Sequence, residues 1–232
     1  EGASEPDAQV SFSRGHAGSS HDLPMEPFML IRALALTLLL GLPAAFAADS
    51  LDRRWQALRA LEASFTQVQR DVDGMLLGES AGEFALQRPG RFRWDYTEPY
   101  AQTVVSDGET LWTYEPDLAQ ATRRPAQAAL VGTPAALLAD GAALAQGFTI
   151  TPLQENPGQG LEGWRLTPRD AEGEFSRIDI WMRGDVPVRM DFADSLGGTT
   201  EIQLQDVRRN PRLPEARFRF KVPQGVDVVA SP

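Results

Sequence analysis

From Phe65 onward the apolar residues of this chain recur every second position, and that period holds for most of its length. A period of two is the signature of strands with one buried face. It limits the chain to a mainly β fold. The strands expected are Phe65–Asp71, Leu76–Gln87, Arg91–Thr97, Gln102–Ser106 and Thr110–Glu115, then Phe148–Pro152, Gly163–Pro168, Glu174–Met182, Val188–Ala193, Thr200–Val207 and Phe218–Val222. Turn formers separate them: Asp73-Gly74, Arg88-Pro89-Gly90, Asp107-Gly108, Gly184-Asp185 and Gly197-Gly198. Short strands joined in sequence form an antiparallel meander, and a meander of about eleven strands curls towards a barrel.

Two segments break the period. Asp49 or Ser50 caps a helix whose apolar residues Leu51, Trp55, Leu58 and Leu61 form one stripe, predicted to end near Ala63. The alanine- and leucine-rich stretch Ala126–Gln146 reads as two short helices around Gly132 and Gly141, with Thr133 as a cap and Pro134 at a first helical position.

The front of the chain reads differently again. Residues 29–47 have the layout of a secretory signal peptide: Arg32, an apolar run from Ala33 to Leu42, and the small-x-small site Ala45-Phe46-Ala47. The run is too short for a lasting membrane span. Residues 1–28 read as disordered or as an over-long start, with Met25 or Met29 the better beginning. Residues 48–232 are then the exported product, one domain.

Composition narrows the chemistry. The formal charge is −10, which repels phosphate backbones at long range. Cysteine is absent, and both histidines, His16 and His21, precede the expected cut. Triad and Cys-His nucleophilic catalysis therefore lack their groups, as do zinc sites with His or Cys ligands. Carboxylate pairs such as Asp71 with Asp73, or Asp191 with Asp194, fall at turns or alternate with apolar residues and read as solvated. No enzyme, metal or cofactor is expected.

The stretch QRPGRFRWDY, Gln87 to Tyr96, places Phe92, Trp94 and Tyr96 on one face and Arg91, Arg93 and Asp95 on the other. Such a strand can stack nucleotide bases or wall an apolar cavity. The acidic charge and the export signal favour the wall. Trp112 and Tyr114, two strands later, are expected on the same inward face, as are Phe218 and Phe220. Periodicity alone does not separate a filled barrel from a hollow one.

The run QRPGRFRWDYTEPYAQTVVSDGETLWTYEPDLAQA resembles the periplasmic outer-membrane lipoprotein carrier family, LolA, and the blocks ALEASFTQ, VGTPAALL and FRFKVPQGV agree in family order. The resemblance implies an incomplete antiparallel barrel, its open side covered by a lid of three short helices, with lipoprotein acyl chains held between. It implies cargo received from the inner-membrane transporter LolCDE, delivery to the outer-membrane receptor LolB, and a monomer that does not bind nucleic acid. The receptor has a similar fold but needs a lipidated cysteine, which this chain lacks. Residue by residue, Arg88 matches a latch that hydrogen-bonds lid backbone when the carrier is closed and empty. Phe92 and Trp94 match lipid-facing aromatics, Trp55 a cavity-facing position on the first lid helix, and Leu137 and Leu138 inward positions on the second. Ala135 and Ala136 stand where relatives carry bulkier side chains. The other readings open to such a chain are a lipid-binding sensor of envelope stress and a carrier of another lipid.

Overall fold

A computed structural model describes residues 42–126, 134–139, 142, 144–154, 160–170 and 174–230. The expected disordered or over-long start at residues 1–28, the expected signal peptide up to Gly41, Gly132, Thr133 and Gly141 lie outside the described residues, as do the side chains of Ala135 and Ala136. Among the described residues no helix is long and apolar enough to cross a membrane.

The described residues form three α-helices and twelve strands, in order: α1 (Leu42–Ala57), β1 (Ala60–Arg70), β2 (Leu76–Gln87), β3 (Arg91–Glu98), β4 (Gln102–Asp107), β5 (Thr110–Glu115), β6 (Gln120–Pro125), α2 (Pro134–Ala139), α3 (Leu144–Gly147), β7 (Phe148–Pro152), β8 (Glu162–Pro168), β9 (Phe175–Arg183), β10 (Val186–Asp194), β11 (Thr199–Arg209) and β12 (Asp227–Ala230). All twelve strands belong to one open sheet, ordered β12-β6-β5-β4-β3-β2-β1-β11-β10-β9-β8-β7. Two meanders meet at the β1–β11 seam, where Phe65 faces Leu204 and Gln67 faces Ile202. Gly82, at a bulge in β2, lets the backbones approach: a Cβ there would sit 1.9 Å from the Asp95 carbonyl oxygen.

Four expectations need correction. Helix α1 stops at Ala57, so Leu58 and Leu61 leave the helix and Leu61 falls in β1. Asn210 ends it: its Nδ2 donates to the Ala57 carbonyl, and its Oδ1 accepts from the backbone N–H groups of Arg59 and Ala60. Second, Gln120–Pro125 is a strand although its sequence, QATRRP, carries little apolar signal. Third, Phe218–Val222 is not a strand. Pro211, Pro214 and Pro223 bracket it, and a 3-10 turn forms at Glu215–Phe218. Fourth, the sheet is not wholly antiparallel, because β12 pairs with β6 in parallel.

Alternation sorts the two faces. Leu61, Ala63, Phe65, Phe84, Leu86, Phe92, Trp94, Leu111, Leu166, Ile178, Ile180, Met190, Phe192 and Ile202 point to one buried cluster. Leu51 and Trp55 of α1, Leu138 and Ala139 of α2 and Leu144 of α3 belong to the same cluster. The core therefore lies between the inner face of the sheet and the three helices. The opposite face carries ion pairs. Asp179 is held by both guanidinium nitrogens of Arg165 at 2.7 and 2.8 Å, and Arg189 bridges Asp191 and Glu201 at 2.8 and 3.0 Å. Burial raises the Asp191 carboxyl above its ordinary pKa, against the opposing pull of Arg189.

Candidate functional site

The site is built where the β2–β3 turn meets the ends of α1 and α2. A helix leaves its last carbonyls without partners, and cations are favoured there. Arg88 supplies the donors. Its Nε donates to the Leu138 carbonyl of α2 at 2.9 Å. Its Nη1 donates to the Trp55 carbonyl of α1 at 2.5 Å and to the Leu58 carbonyl just beyond it at 2.9 Å. The guanidinium also lies over the Trp55 ring, 4.9 Å from its centroid. The Gly90 N–H adds a bond to the Ala139 carbonyl at 3.2 Å. One side chain on the sheet's rim thus fastens two helices.

The third helix is tied to the first. Asp52 Oδ1 accepts from the Leu144 N–H at 2.6 Å, which caps α3 from α1. Arg54 anchors α1 to the far meander by a 3.0 Å ion pair with Glu162 and a bond to the Gly184 carbonyl. Asp52, Arg54 and Asn210 carry no sequence signal for these roles. The Asp52–Leu144 and Asn210–Ala57 contacts span 92 and 153 residues.

Below the lid the wall is aromatic. Trp94 meets Phe65 and Phe84 edge-on, at centroid distances of 5.1 and 4.8 Å, and Phe65 meets Tyr96 at 5.2 Å. Trp55 is 0% exposed, Leu138 1%, Phe92 1% and Trp94 4%, so this layer is almost wholly buried. Leu137 packs against it half-buried. Tyr96 stands where the wall begins to open, and burial pushes its hydroxyl up to about 12 from its ordinary value of 10.0.

Arg88, Trp55, Phe92, Trp94, Leu137 and Leu138 are therefore brought together. Trp112 is not, which corrects its expected inward position. Phe92 pairs with Ser106 and Ser106 with Leu111, so Leu111 takes the inward place on β5. Trp112 pairs with Val105 and Arg123 on the outer face, against Phe220 at 5.2 Å. Phe218 and Phe220 belong to that outer layer too.

Chemically, the described part of the inner face offers mainly hydrocarbon and rings. It can shield an apolar chain from water if the helices lift. The proposed carboxylate pairs are accounted for otherwise: Asp71 accepts from the turn N–H groups of Asp73 and Met75, and Asp191 pairs with Arg189.

The family model described as outer membrane lipoprotein carrier protein LolA matches residues 56–221. An outer-membrane lipoprotein carrier protein of Bordetella avium is 38% identical over 209 residues, covering 88% of this chain and 99% of the relative. One of the same description from Chromobacterium violaceum is 40% identical, covering 89% of this chain and 99% of the relative. Among solved structures, an uncharacterised conserved protein of Thermus thermophilus shares the fold. Its TM-score is 0.52 at 15% identity, covering 81% of this chain and 99% of that one. The extent and identity of these matches place the chain in the LolA family of outer-membrane lipoprotein carrier proteins.

Proposed function

We propose that this protein shields the acyl chains of outer-membrane lipoproteins between its sheet and its lid, carrying them through the periplasm. It takes cargo from the inner-membrane transporter LolCDE and passes it to the outer-membrane receptor LolB. It acts as a monomer and performs no catalysis. One observation carries the reading: an aromatic inner face is closed by helices whose fastening converges on Arg88.

The physics of transfer follows from that layer. Burying an acyl chain is worth about 0.8 kcal/mol per CH₂, so a multiply acylated anchor does not cross water unshielded. The lid's leucines and Trp55 occupy the apolar surface that acyl chains would use, so lid closure and cargo binding compete. A ligand shifts such an equilibrium only by its differential affinity for the two states. Closure after release then recovers the Arg88 bonds, which favours unloading without a nucleotide.

Export is part of the proposal. The signal peptide is residues 29–47, and the mature chain starts at Ala48. Helix α1 begins at Leu42, ahead of that cut, but its buried residues Leu51 and Trp55 follow it.

The test uses inner-membrane vesicles loaded with a triacylated lipoprotein. The purified protein should release that lipoprotein into solution as a one-to-one complex. Release of free lipid alone, or of nothing, contradicts the carrier reading.

A further inference from the structure

Indole N–H groups on both sides of the lid layer lack acceptors. Trp55 Nε1 on α1 and Trp94 Nε1 on β3 are buried, and neither has a hydrogen-bond partner among the described residues. Both rings belong to the cluster between helices and sheet. Indole donates and does not accept, so each N–H needs a carbonyl or similar oxygen to be satisfied. An unpaired buried donor is a standing cost, and phenylalanine would fill either place with rings and no such cost. A third indole without a partner, that of Trp181, lies on the outer face beneath the Arg189 guanidinium at 4.9 Å. Its ring supports a cation there, as the Trp55 ring supports Arg88 at 4.9 Å, but no lid covers it. Among the described residues, Trp55 and Trp94 are the indoles whose unpaired N–H groups lie in the layer that the lid covers.

We propose that these two N–H groups are the hydrogen-bond donors for the carbonyl oxygens at the heads of the cargo's acyl chains. The inference rests on the carrier reading and sharpens it: the site recognises ester- or amide-linked acyl groups and not hydrocarbon as such. When the lid lifts and acyl chains enter, both donors gain the acceptors that the empty closed form denies them. Their satisfaction favours the loaded state, and the Arg88 bonds favour the empty one. The two walls thus hold opposing polar terms inside an otherwise apolar exchange.

The test compares an ester-linked diacylglycerol with the ether-linked dialkylglycerol of the same chain length, both read by displacement of an apolar fluorescent dye. Wild-type protein should prefer the ester. Trp55→Phe and Trp94→Phe should each reduce ester affinity by about three- to tenfold more than they change ether affinity. Thermal melts should show both variants folded, the removed unpaired donor offsetting part of the packing lost with the smaller ring. The ester C=O stretch of bound lipid should shift to lower frequency in wild type and return in the double variant. Equal loss for ester and ether, no preference in wild type, or no carbonyl shift overturns the inference while leaving the carrier reading intact. Binding of neither lipid removes the carrier reading and the inference with it.

Discussion

The strands β3 to β5 are covered twice, once on each face, and the two covers are fastened in opposite ways. On the inner face the lid helices end on Arg88, whose bonds reach Leu138, Trp55 and Leu58 from one point on the rim. On the outer face the segment after β11 crosses as a strap held at many points. Phe218 is buried, Phe220 packs on Trp112 and Tyr114 at 5.2 and 5.4 Å, and Glu62 of β1 accepts from Arg217. Arg91 adds an ion pair to Glu215, and β12 ends the strap by pairing with β6. The lid's hold on this rim converges on Arg88, with the Gly90 N–H beside it, while Arg54 and Asn210 tie α1 elsewhere. A cover held at a few points can open as a unit, whereas one fastened along its length opens only with the fold. The difference separates a moving part from a permanent one.

The largest effect should come from the strap. Phe218→Ala empties a buried ring site, and such truncations cost about 3–5 kcal/mol. Urea unfolding should show that loss, while lipid binding per folded molecule stays unchanged. A drop in binding without a drop in stability would make the strap part of the site and break the comparison.

Tyr96 gives a smaller effect confined to the inner face. Its folded pKa of about 12 lies above the ordinary 10.0. The folded state therefore keeps a proton that the unfolded chain loses. Its contribution is fully present below pH 10 and disappears as pH rises towards 12. The shift is worth about 2–3 kcal/mol, and stability should fall by that amount across the window. Tyr96→Phe should flatten this alkaline slope, as measured by thermal melts from pH 9 to 12. A slope unchanged by the substitution would contradict the buried placement of the hydroxyl.

Arg88 follows in size. Hydrogen bonds from a charged donor are worth about 1.5–3 kcal/mol, roughly a 10- to 150-fold bias towards the closed empty state. Arg88→Leu should still accept lipoprotein from inner-membrane vesicles but hand it to the receptor poorly. Transfer equal to wild type would sink the latch. Arg91→Leu is the control one turn away. Its partner Glu215 lies 3.7 Å off on an exposed surface, so stability should change by no more than about 0.5 kcal/mol and transfer should be normal.

Much of this arrangement was legible in the sequence because period-two alternation is local. Phe92 and Trp94 declare their shared face without any partner strand. The face of β5 relative to β3 is different, because it depends on register through β4. There Phe92 aligns with Ser106 and Leu111, and Trp112 falls outside. Two aromatics at matching parity within their own strands cannot reveal that. The helix stop at Ala57 was hidden for a similar reason: Leu58 and Leu61 fit a helical stripe and a strand equally, and Asn210 decides from 153 residues away. The strand β6 escaped notice because its exposed Arg123 and Arg124 leave it little alternation, and the edge strand β12 that pairs with it comes from far along the chain. Arg88 itself was found through family likeness, since nothing in its own neighbourhood announces the carbonyls it reaches.

The central claim is that acyl chains occupy the inner face beneath the lid. The most direct measurement replaces Phe92, and separately Trp112, with the photocrosslinker p-benzoylphenylalanine and irradiates the protein loaded with acyl-labelled lipoprotein. The account predicts an acyl adduct at position 92 and none at position 112. Adducts at 112 and not at 92, or at both equally, would contradict it.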